Sequence, residues 1–119
     1  NIGAIWIETS SGQFVKTLEI WAFIRRVYLS KWNADSGGST IDAVSSATLS
    51  NHKTHHVTWN MLDSAGNPVP DGAYKVMIEV TDYDGAGKST SVDFTKGAGP
   101  MTVTPPDQQY YTGMQLVVQ

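Results

Sequence analysis

Two stretches of alternating apolar and polar residues, separated by a turn-rich segment, constrain the fold of this chain more than any other feature. They run over residues 56–62 and 73–81, and Asp, Gly, Asn and Pro fill the segment between them. Side chains along a strand alternate between its two faces, so the second stretch has one apolar face. This apolar face comprises Tyr74, Val76, Ile78 and Val80. The pattern predicts an antiparallel hairpin with that face in the core and the mostly polar face, with Lys75 and Glu79, toward solvent.

Similar patterns along the rest of the chain predict an all-β protein with one short helix. The predicted strands cover residues 2–9, 14–21, 56–62, 73–81, 89–95, 101–104 and 114–118. Alternation in the second of these strands assigns Phe14, Leu18 and Ile20 to one face. Between residues 23 and 32, apolar residues instead recur four positions apart, which predicts a short amphipathic helix. About seven short strands with turns between them are typical of an antiparallel β-sandwich of immunoglobulin or fibronectin type.

Length, charge and composition exclude several classes of protein. The length of 119 residues suits one folded unit, so residues 1–119 are predicted to form a single domain. A net charge of −3 argues against nucleic acid as a partner, because phosphate binding requires a basic face. The chain has no cysteine, which excludes disulfide bonds and thiolate chemistry. No apolar stretch approaches the roughly 20 residues that a membrane-spanning helix needs. We interpret the chain as the mature part of an exported protein, or as a module of a larger parent polypeptide.

A series of short motifs resembles a family of predicted bacterial periplasmic proteins of unknown function. The motifs follow one another in the same order as in that family: Asn1 to Glu8, Phe14 to Leu18, Tyr28-Leu29 with Trp32, Asp42-Ala43-Val44 with Ala47-Thr48, and Val57-Thr58-Trp59 with Asp63, Gly66, Val69-Pro70-Asp71-Gly72 and Tyr74. The resemblance covers most of the chain. It implies an exported bacterial protein, periplasmic or secreted, and it implies no particular activity.

The segment from Asp42 to Thr48, with the sequence DAVSSAT, resembles the flavin attachment signal of sodium-pumping quinone reductases and electron-transport complexes. In those proteins the signal begins with an Asp and ends with a Ser or Thr, a Gly, an Ala and a Thr. A flavin transferase joins FMN to the final Thr through a phosphoester. Carried over by position, the resemblance implies Asp42 as the leading acid and Thr48 as the acceptor hydroxyl. The chain departs at Ser46, where those proteins have Gly, which permits positive φ and close backbone approach. The alternative is a structural loop in which Asp42 and Ser45 bond to nearby backbone.

The aromatic residues favour a different function. Tyr110 and Tyr111 follow a segment that contains two consecutive prolines, so at least one of the pair is predicted to reach solvent. Aromatic rings can stack on the C–H faces of sugars, although they also fill the cores of β-sandwiches. Polysaccharide is therefore the ligand that we expect if there is one, with Trp32, Tyr110 and Tyr111 as the candidate binding residues.

Metal sites have little support in the sequence. His55 and His56 are adjacent, so in a strand they point to opposite faces and cannot reach one metal ion, and His52 would need a helix to join His56. The acidic loops leave calcium open as an alternative to ordinary turn chemistry. The acidic and amide residues of these loops are Asp63, Asn67, Asp71, Asp82 and Asp84. No metal ligands are predicted.

Catalysis also has little support. No Ser, His and Asp stand in the context of a nucleophile elbow, and no cysteine is present. Glu8, Glu19 and Glu79 could supply a carboxylate pair, but each falls on the polar face of a predicted strand, where a solvated charge is expected. The sequence therefore predicts a non-catalytic secreted or periplasmic module that binds or spaces, with a polysaccharide or another cell-surface component as partner and no cofactor. The alternative is a covalent FMN carrier, flavinylated at Thr48, in extracytoplasmic electron transfer.

Overall fold

The computed structural model describes residues 2–21, 30–36, 44–46, 56–81, 87–107 and 113–118 of the chain. Seven strands and one helix lie within these ranges. They are β1 (Ile2–Thr9), β2 (Phe14–Trp21), α1 (Ser30–Ser36), β3 (Val44–Ser46), β4 (Gly72–Thr81), β5 (Gly87–Lys96), β6 (Met101–Val103) and β7 (Leu116–Val118). The predicted all-β class with one short helix is confirmed.

Five of the strands form one sheet in the order β3-β2-β1-β4-β5, and β6 pairs with β7 in a second sheet. The pairs β1–β2, β1–β4 and β4–β5 are antiparallel, as predicted for the fold class. The turn of the first hairpin is closed by a hydrogen bond from Thr9 N to Gln13 O at 2.8 Å. Gly12 in this turn has a φ of 96°, which a residue without a Cβ adopts at little cost.

The exception to antiparallel pairing is β3, which runs parallel to β2. Parallel neighbours cannot be joined by a tight turn, so the chain must cross over between them. Helix α1 lies in this crossover and packs Trp32 against one face of the sheet. The helix was predicted over residues 23–32. The described helix begins at Ser30, and residues 22–29 lie outside the described ranges.

Each face of the large sheet carries its own apolar cluster. The cluster on the helix side contains Ala4, Trp6, Ile20, Trp32 and Met77, with Phe14 packed against it. The cluster on the other side contains Ile5, Ile7, Val15, Leu18, Tyr74, Phe94 and Val118. Partly buried residues pack against this second cluster, namely Trp59, Val69, Val76, Ile78, Val80, Met101 and Leu116. The sheet is therefore a central layer, with α1 on one side and the β6–β7 sheet with residues 59–69 on the other.

This arrangement confirms that the apolar face of β4 contributes to the core, and that Val92 and Phe94 of β5 point inward. A seven-stranded sandwich of immunoglobulin type is not confirmed, because the described strands divide into sheets of five and two. The polar face of β4 was predicted to face solvent, and this is wrong. Glu79 is buried, because α1 covers the face on which it lies.

The predicted pairing of residues 56–62 with β4 is also wrong. Residues 56–60 form no strand, and one isolated bridge joins Leu62 to Pro68. The neighbours of β4 are β1 and β5. The ring of Trp59 lies edge-on to Tyr74, with 5.6 Å between ring centroids. This segment therefore lies over the face of the sheet and does not extend it.

Two irregularities in the pairing of β1 with β2 change the faces of β2. Register shifts occur between Ile5 and Trp6 and between Ile7 and Glu8. An extra residue in one strand interrupts the alternation of side chains along it. Leu18 consequently packs in the cluster opposite to that of Ile20. The prediction that these two residues share one face is wrong for this reason.

Candidate functional site

A polar cluster lies between α1 and the face of the sheet that it covers. Its members from the sheet are Trp6, Glu8, Thr17 and Glu79, and those from α1 are Lys31, Trp32 and Asp35. Four of these residues come from three different strands, so the cluster forms only when the sheet and helix are both in place. In the part of the chain that the structure describes, it contains three of the four buried polar or charged residues, namely Glu8, Thr17 and Glu79.

Glu79 of β4 caps the beginning of α1. The first N–H groups of a helix have no partner within the helix and need acceptors from elsewhere. The Oε1 of Glu79 accepts from Trp32 N at 2.8 Å, and its Oε2 accepts from Lys31 N at 3.1 Å. The first turn of α1 contains no acidic residue of its own. A carboxylate 47 residues away along the chain therefore supplies the cap.

Trp32 anchors the same helix in the core. Its side chain is fully buried, and its Nε1 donates to the Oγ1 of Thr17 at 3.0 Å. The structure thus places Trp32 beneath the surface, because the helix packs its ring onto the sheet. A sugar would need an exposed ring, so Trp32 does not supply one in this structure. Tyr110 and Tyr111, the other predicted binding residues, lie outside the described residues.

Glu8 of β1 links the sheet to the last turn of α1. Glu8 is 3% exposed, and its Oε2 accepts from Trp6 Nε1 at 2.6 Å. Asp35 of α1 is a neighbour that acts on the carboxyl group of Glu8. Asp35 in turn pairs with Lys31, with 3.1 Å between Oδ2 and Nζ.

This environment raises the pKa of Glu8 above its ordinary value. Burial is the largest cause, since a low-dielectric interior disfavours the charged form. The neighbouring Asp35 raises the pKa further, whereas the Trp6 hydrogen bond and the Lys31 cation lower it. The pKa of Lys31 is also raised, chiefly by its hydrogen bond to Asp35.

The sequence patterns missed this cluster because they assigned Glu8 and Glu79 to solvated faces. The available signal was the apolar residues on those same faces. Trp6 lies two residues before Glu8, and Met77 lies two residues before Glu79. A Trp and a Met on a nominally polar face indicate that something covers it.

The acidic loops are engaged in turn and ion-pair contacts. The Oδ1 of Asp63 accepts from Ala65 N and Asn67 N, both at 2.9 Å, as an Asp does when it closes its own turn. Asp71 pairs with Lys96 at 2.7 Å. Within the described ranges, no group of three or more His, Cys, Asp or Glu residues is placed to hold a metal ion. His56 is exposed, while His52, His55, Asp82 and Asp84 lie outside those ranges.

The segment from Asp42 to Thr48 is described only at its centre. Residues 44–46 form β3, which lies at the edge of the large sheet among the described strands, and Ser46 pairs with Trp21 of β2. Asp42 and Thr48 lie outside the described residues. Ser46 lies in a strand, whose backbone is extended.

Comparison with known proteins agrees with the resemblance seen in the sequence. A family model for a predicted periplasmic protein (DUF2271) matches residues 3–111. No curated protein and no solved structure matches the chain significantly. In the described part of the structure, no helix has the length and apolar character that a membrane crossing requires. The chain belongs to this family of predicted periplasmic proteins, whose function is unknown.

Proposed function

We propose that this periplasmic domain is a non-catalytic carrier of FMN, attached covalently through the hydroxyl of Thr48. The starting point is the likeness of residues 42–48 to a flavin attachment signal, with Asp42 as the leading acid. The main argument against that likeness is Ser46, which stands where the flavin-carrying subunits have Gly. The strength of this argument depends on the backbone conformation at Ser46.

The observation that carries the proposal is the extended conformation of Ser46. A Gly is needed where φ is positive, because a Cβ makes that conformation costly. Ser46 is the last residue of β3, and a strand backbone has negative φ. Serine therefore introduces no backbone strain at the position where the motif departs from its pattern. The backbone conformation of Ser46 is therefore no objection to a flavin site.

The position of β3 in the sheet is also favourable. Its partner on one side is β2, and within the described strands no partner pairs with its other side. An edge strand leaves backbone groups open to an approaching chain. A transferase must bring its own active site to the acceptor residue, so a motif centred on an edge strand suits this reaction.

The proposed attachment needs a flavin transferase and FAD. The oxygen of the Thr48 hydroxyl forms a bond to the phosphorus atom of the FMN half of FAD. The phosphoanhydride bond breaks, AMP leaves, and the hydroxyl proton passes to a base of the transferase. Bound FMN would then supply reversible electron transfer, which is the role of a carrier and not of an enzyme.

The direct test is co-expression with a flavin transferase. We expect a yellow protein and an FMN-sized mass increase on the peptide that contains Thr48. Thr48→Ala should abolish the label and Thr48→Ser should keep it, since serine retains the hydroxyl. Thr58→Ala, at an exposed threonine outside the motif, is the matched control and should be labelled like the wild type.

A transferase that labels an established carrier in the same cells, but leaves this protein unlabelled, would rule the proposal out. Labelling that persists in Thr48→Ala would rule out the assigned residue. Ser46→Gly adds a further check. If the strand backbone is as described, this change should leave the extent of labelling within about twofold of the wild type, because no strain is there to relieve.

Polysaccharide binding is the second candidate function, and a different surface favours it. The side of β5 that lies on the helix face of the sheet carries small polar residues, all exposed: Ser89, Ser91, Asp93 and Thr95. Hydroxyl and carboxylate groups in a row can hydrogen-bond to the hydroxyls of an extended glycan. Co-sedimentation with isolated peptidoglycan tests this idea. Ser91→Trp should weaken co-sedimentation about tenfold by blocking the surface, and wild-type protein that stays in solution would exclude it.

A further inference from the structure

Strand β5 lies at one edge of the five-stranded sheet, and among the described strands only β4 pairs with it. Its ten residues follow β4 without a register shift, from Gly87 to Lys96. Edge strands in natural proteins are commonly blunted by a bulge, a proline or a charged residue, which prevents pairing with another chain. β5 has no bulge against β4 and no proline, and Asp93 is the charged residue in its middle. Its outer edge is therefore a regular row of backbone donors and acceptors that can take a further strand.

The opposite edge of the sheet is much shorter. β3 has three residues, against ten in β5. The number of hydrogen bonds between two paired strands increases with the length over which they overlap. β5 is therefore the edge that offers the larger interface to another chain.

The side chains of β5 suit a second copy of the same strand. Ser89 and Asp93 lie on the exposed face of β5, two residues to either side of Ser91. When two antiparallel copies meet with Ser91 opposite Ser91, Ser89 of each copy lies opposite Asp93 of the other. The serine hydroxyl can donate to the carboxylate, so the charge that would otherwise protect this edge finds a partner. We propose that the protein forms a two-fold symmetric dimer through β5, in this register, which joins the two sheets into one.

One other symmetric register has an overlap of the same length. It places Val92 opposite Val92, and it brings Lys88 of one copy opposite Lys96 of the other. Like charges directly opposite each other on neighbouring strands are destabilising, and the symmetry would repeat this pair. The register centred on Ser91 has no like charges directly opposite each other, and it is the register that we assign.

The surroundings of β5 are compatible with a partner strand. Val92 and Phe94 are already buried on the side of the sheet away from α1, where the ring of Trp59 contacts Phe94 edge-on. A strand that pairs in the plane of the sheet leaves this packing unchanged. It also leaves β3 free at the opposite edge. The dimer therefore does not depend on flavin attachment at Thr48, and its test uses no flavin.

Sedimentation velocity of the wild-type protein measures the association directly. The chain has a mass of 12.9 kDa, so monomer and dimer are well separated. We expect a reversible equilibrium in which half of the protein is dimeric at a concentration between about 1 µM and about 1 mM. Protein that remains monomeric up to about 1 mM would overturn the proposal.

A single introduced thiol identifies the residues that face each other, because the chain has no cysteine. Facing residues of antiparallel strands have Cα atoms about 4.5–5.5 Å apart, which a disulfide can bridge. In a glutathione redox buffer, Ser91→Cys should form a disulfide-linked dimer at least about tenfold more readily than Thr95→Cys. Thr95 is the matched control, because it is exposed on the same face of β5 but lies opposite Gly87 in the assigned register. Equal cross-linking of the two variants would overturn the register.

Charge variants at Ser91 test the symmetry without a covalent bond. Ser91→Lys and Ser91→Asp each place like charges opposite each other at the two-fold axis, so each should weaken dimerisation about three- to tenfold. An equimolar mixture of the two should dimerise at least as well as the wild type, since opposite charges then meet. The same changes at Thr102, an exposed residue of β6, control for net charge and should leave the association unchanged. If the mixture associates no better than either variant alone, the proposed dimer is wrong.

Discussion

Glu79 is the residue whose role differs most between the sequence pattern and the structure. Alternation along β4 marks it as solvated, so a change to Ala would be expected to cost little. Its carboxylate instead accepts the N–H groups of Lys31 and Trp32. Loss of a helix cap together with unsatisfied buried donors costs about 1–3 kcal/mol.

We therefore predict that Glu79→Ala destabilises the protein by about 2 kcal/mol, as much as Ile78→Ala on the opposite face. Glu79→Gln should cost less, since its amide oxygen can still accept one of the two hydrogen bonds. Urea unfolding of the three variants measures this order. A cost for Glu79→Ala below about 0.5 kcal/mol would mean that the cap does not stabilise α1.

Two glycines near the end of β5 provide a matched pair. Gly97 and Gly99 have φ values of 92° and 94°, so an alanine at either position carries the same backbone strain. A Cβ at Gly97 would lie 2.5 Å from the Cγ of Asp71, whereas nothing lies within 4 Å of one at Gly99. The difference between the two positions is the contact with Asp71, which must move away from Lys96.

We predict that Gly99→Ala costs about 1 kcal/mol and that Gly97→Ala costs about 0.5–1 kcal/mol more. Parallel urea titrations give both values. In the Asp71→Gly background the two substitutions should cost the same, because all the Asp71 side-chain atoms near the new Cβ are gone, including the Asp71 Cβ at 2.9 Å. If the costs of the two substitutions still differ in this background, the contact with Asp71 is not the cause of the difference.

At the scale of elements, α1 is held by contacts with residues far away in sequence. The helix has only seven residues, which is too short to be stable alone in water. The bond from Trp32 Nε1 to Thr17 Oγ1 is one of its attachments to the sheet. Thr17→Val keeps the shape of the side chain and removes the acceptor, which leaves a buried indole N–H without this partner.

A double-mutant cycle of Thr17→Val and Trp32→Phe isolates this attachment. Thr17→Val alone should cost about 1–2 kcal/mol. In the Trp32→Phe background the cost should fall by about 1 kcal/mol, because the donor is no longer there. The four unfolding free energies give the coupling energy directly. Additive costs would show that the bond does not contribute to stability.

Local patterns predicted most strands, and non-local contacts explain the errors. The first hairpin and β5 follow from alternation and turn residues near each other in sequence. The neighbour of β4 could not be predicted in this way, because β1 lies more than sixty residues earlier. The bulges in β2 depend on its pairing with β1, and the burial of the carboxylates depends on the helix that covers their face. Alternation along a single strand carries no information about either.

At the scale of the whole molecule, the three layers depend on one another for burial. The helix side of the sheet buries Trp6 and Trp32, and the other side buries Val118 from the last strand. Residues 1–119 were predicted to be a single domain. Helix α1 and the β6–β7 sheet both pack against the five-stranded sheet, so we expect the three layers to unfold together.

The neighbours Val117 and Val118 test this cooperativity. Val118 is 6% exposed against the sheet, whereas Val117 is 54% exposed. Val118→Asp places a charge in the core and should cost about 3 kcal/mol or more, while Val117→Asp should change stability by less than about 0.5 kcal/mol. In a Trp21→Phe, Trp59→Phe background, tryptophan fluorescence follows Trp6 and Trp32 on the helix side, and circular dichroism follows the strands. In Val118→Asp both transitions should shift together to lower urea concentration, because loss of one layer exposes the sheet on which the other layer packs. If the circular dichroism transition shifts and the fluorescence transition does not, the layers unfold separately and the single-domain prediction is wrong.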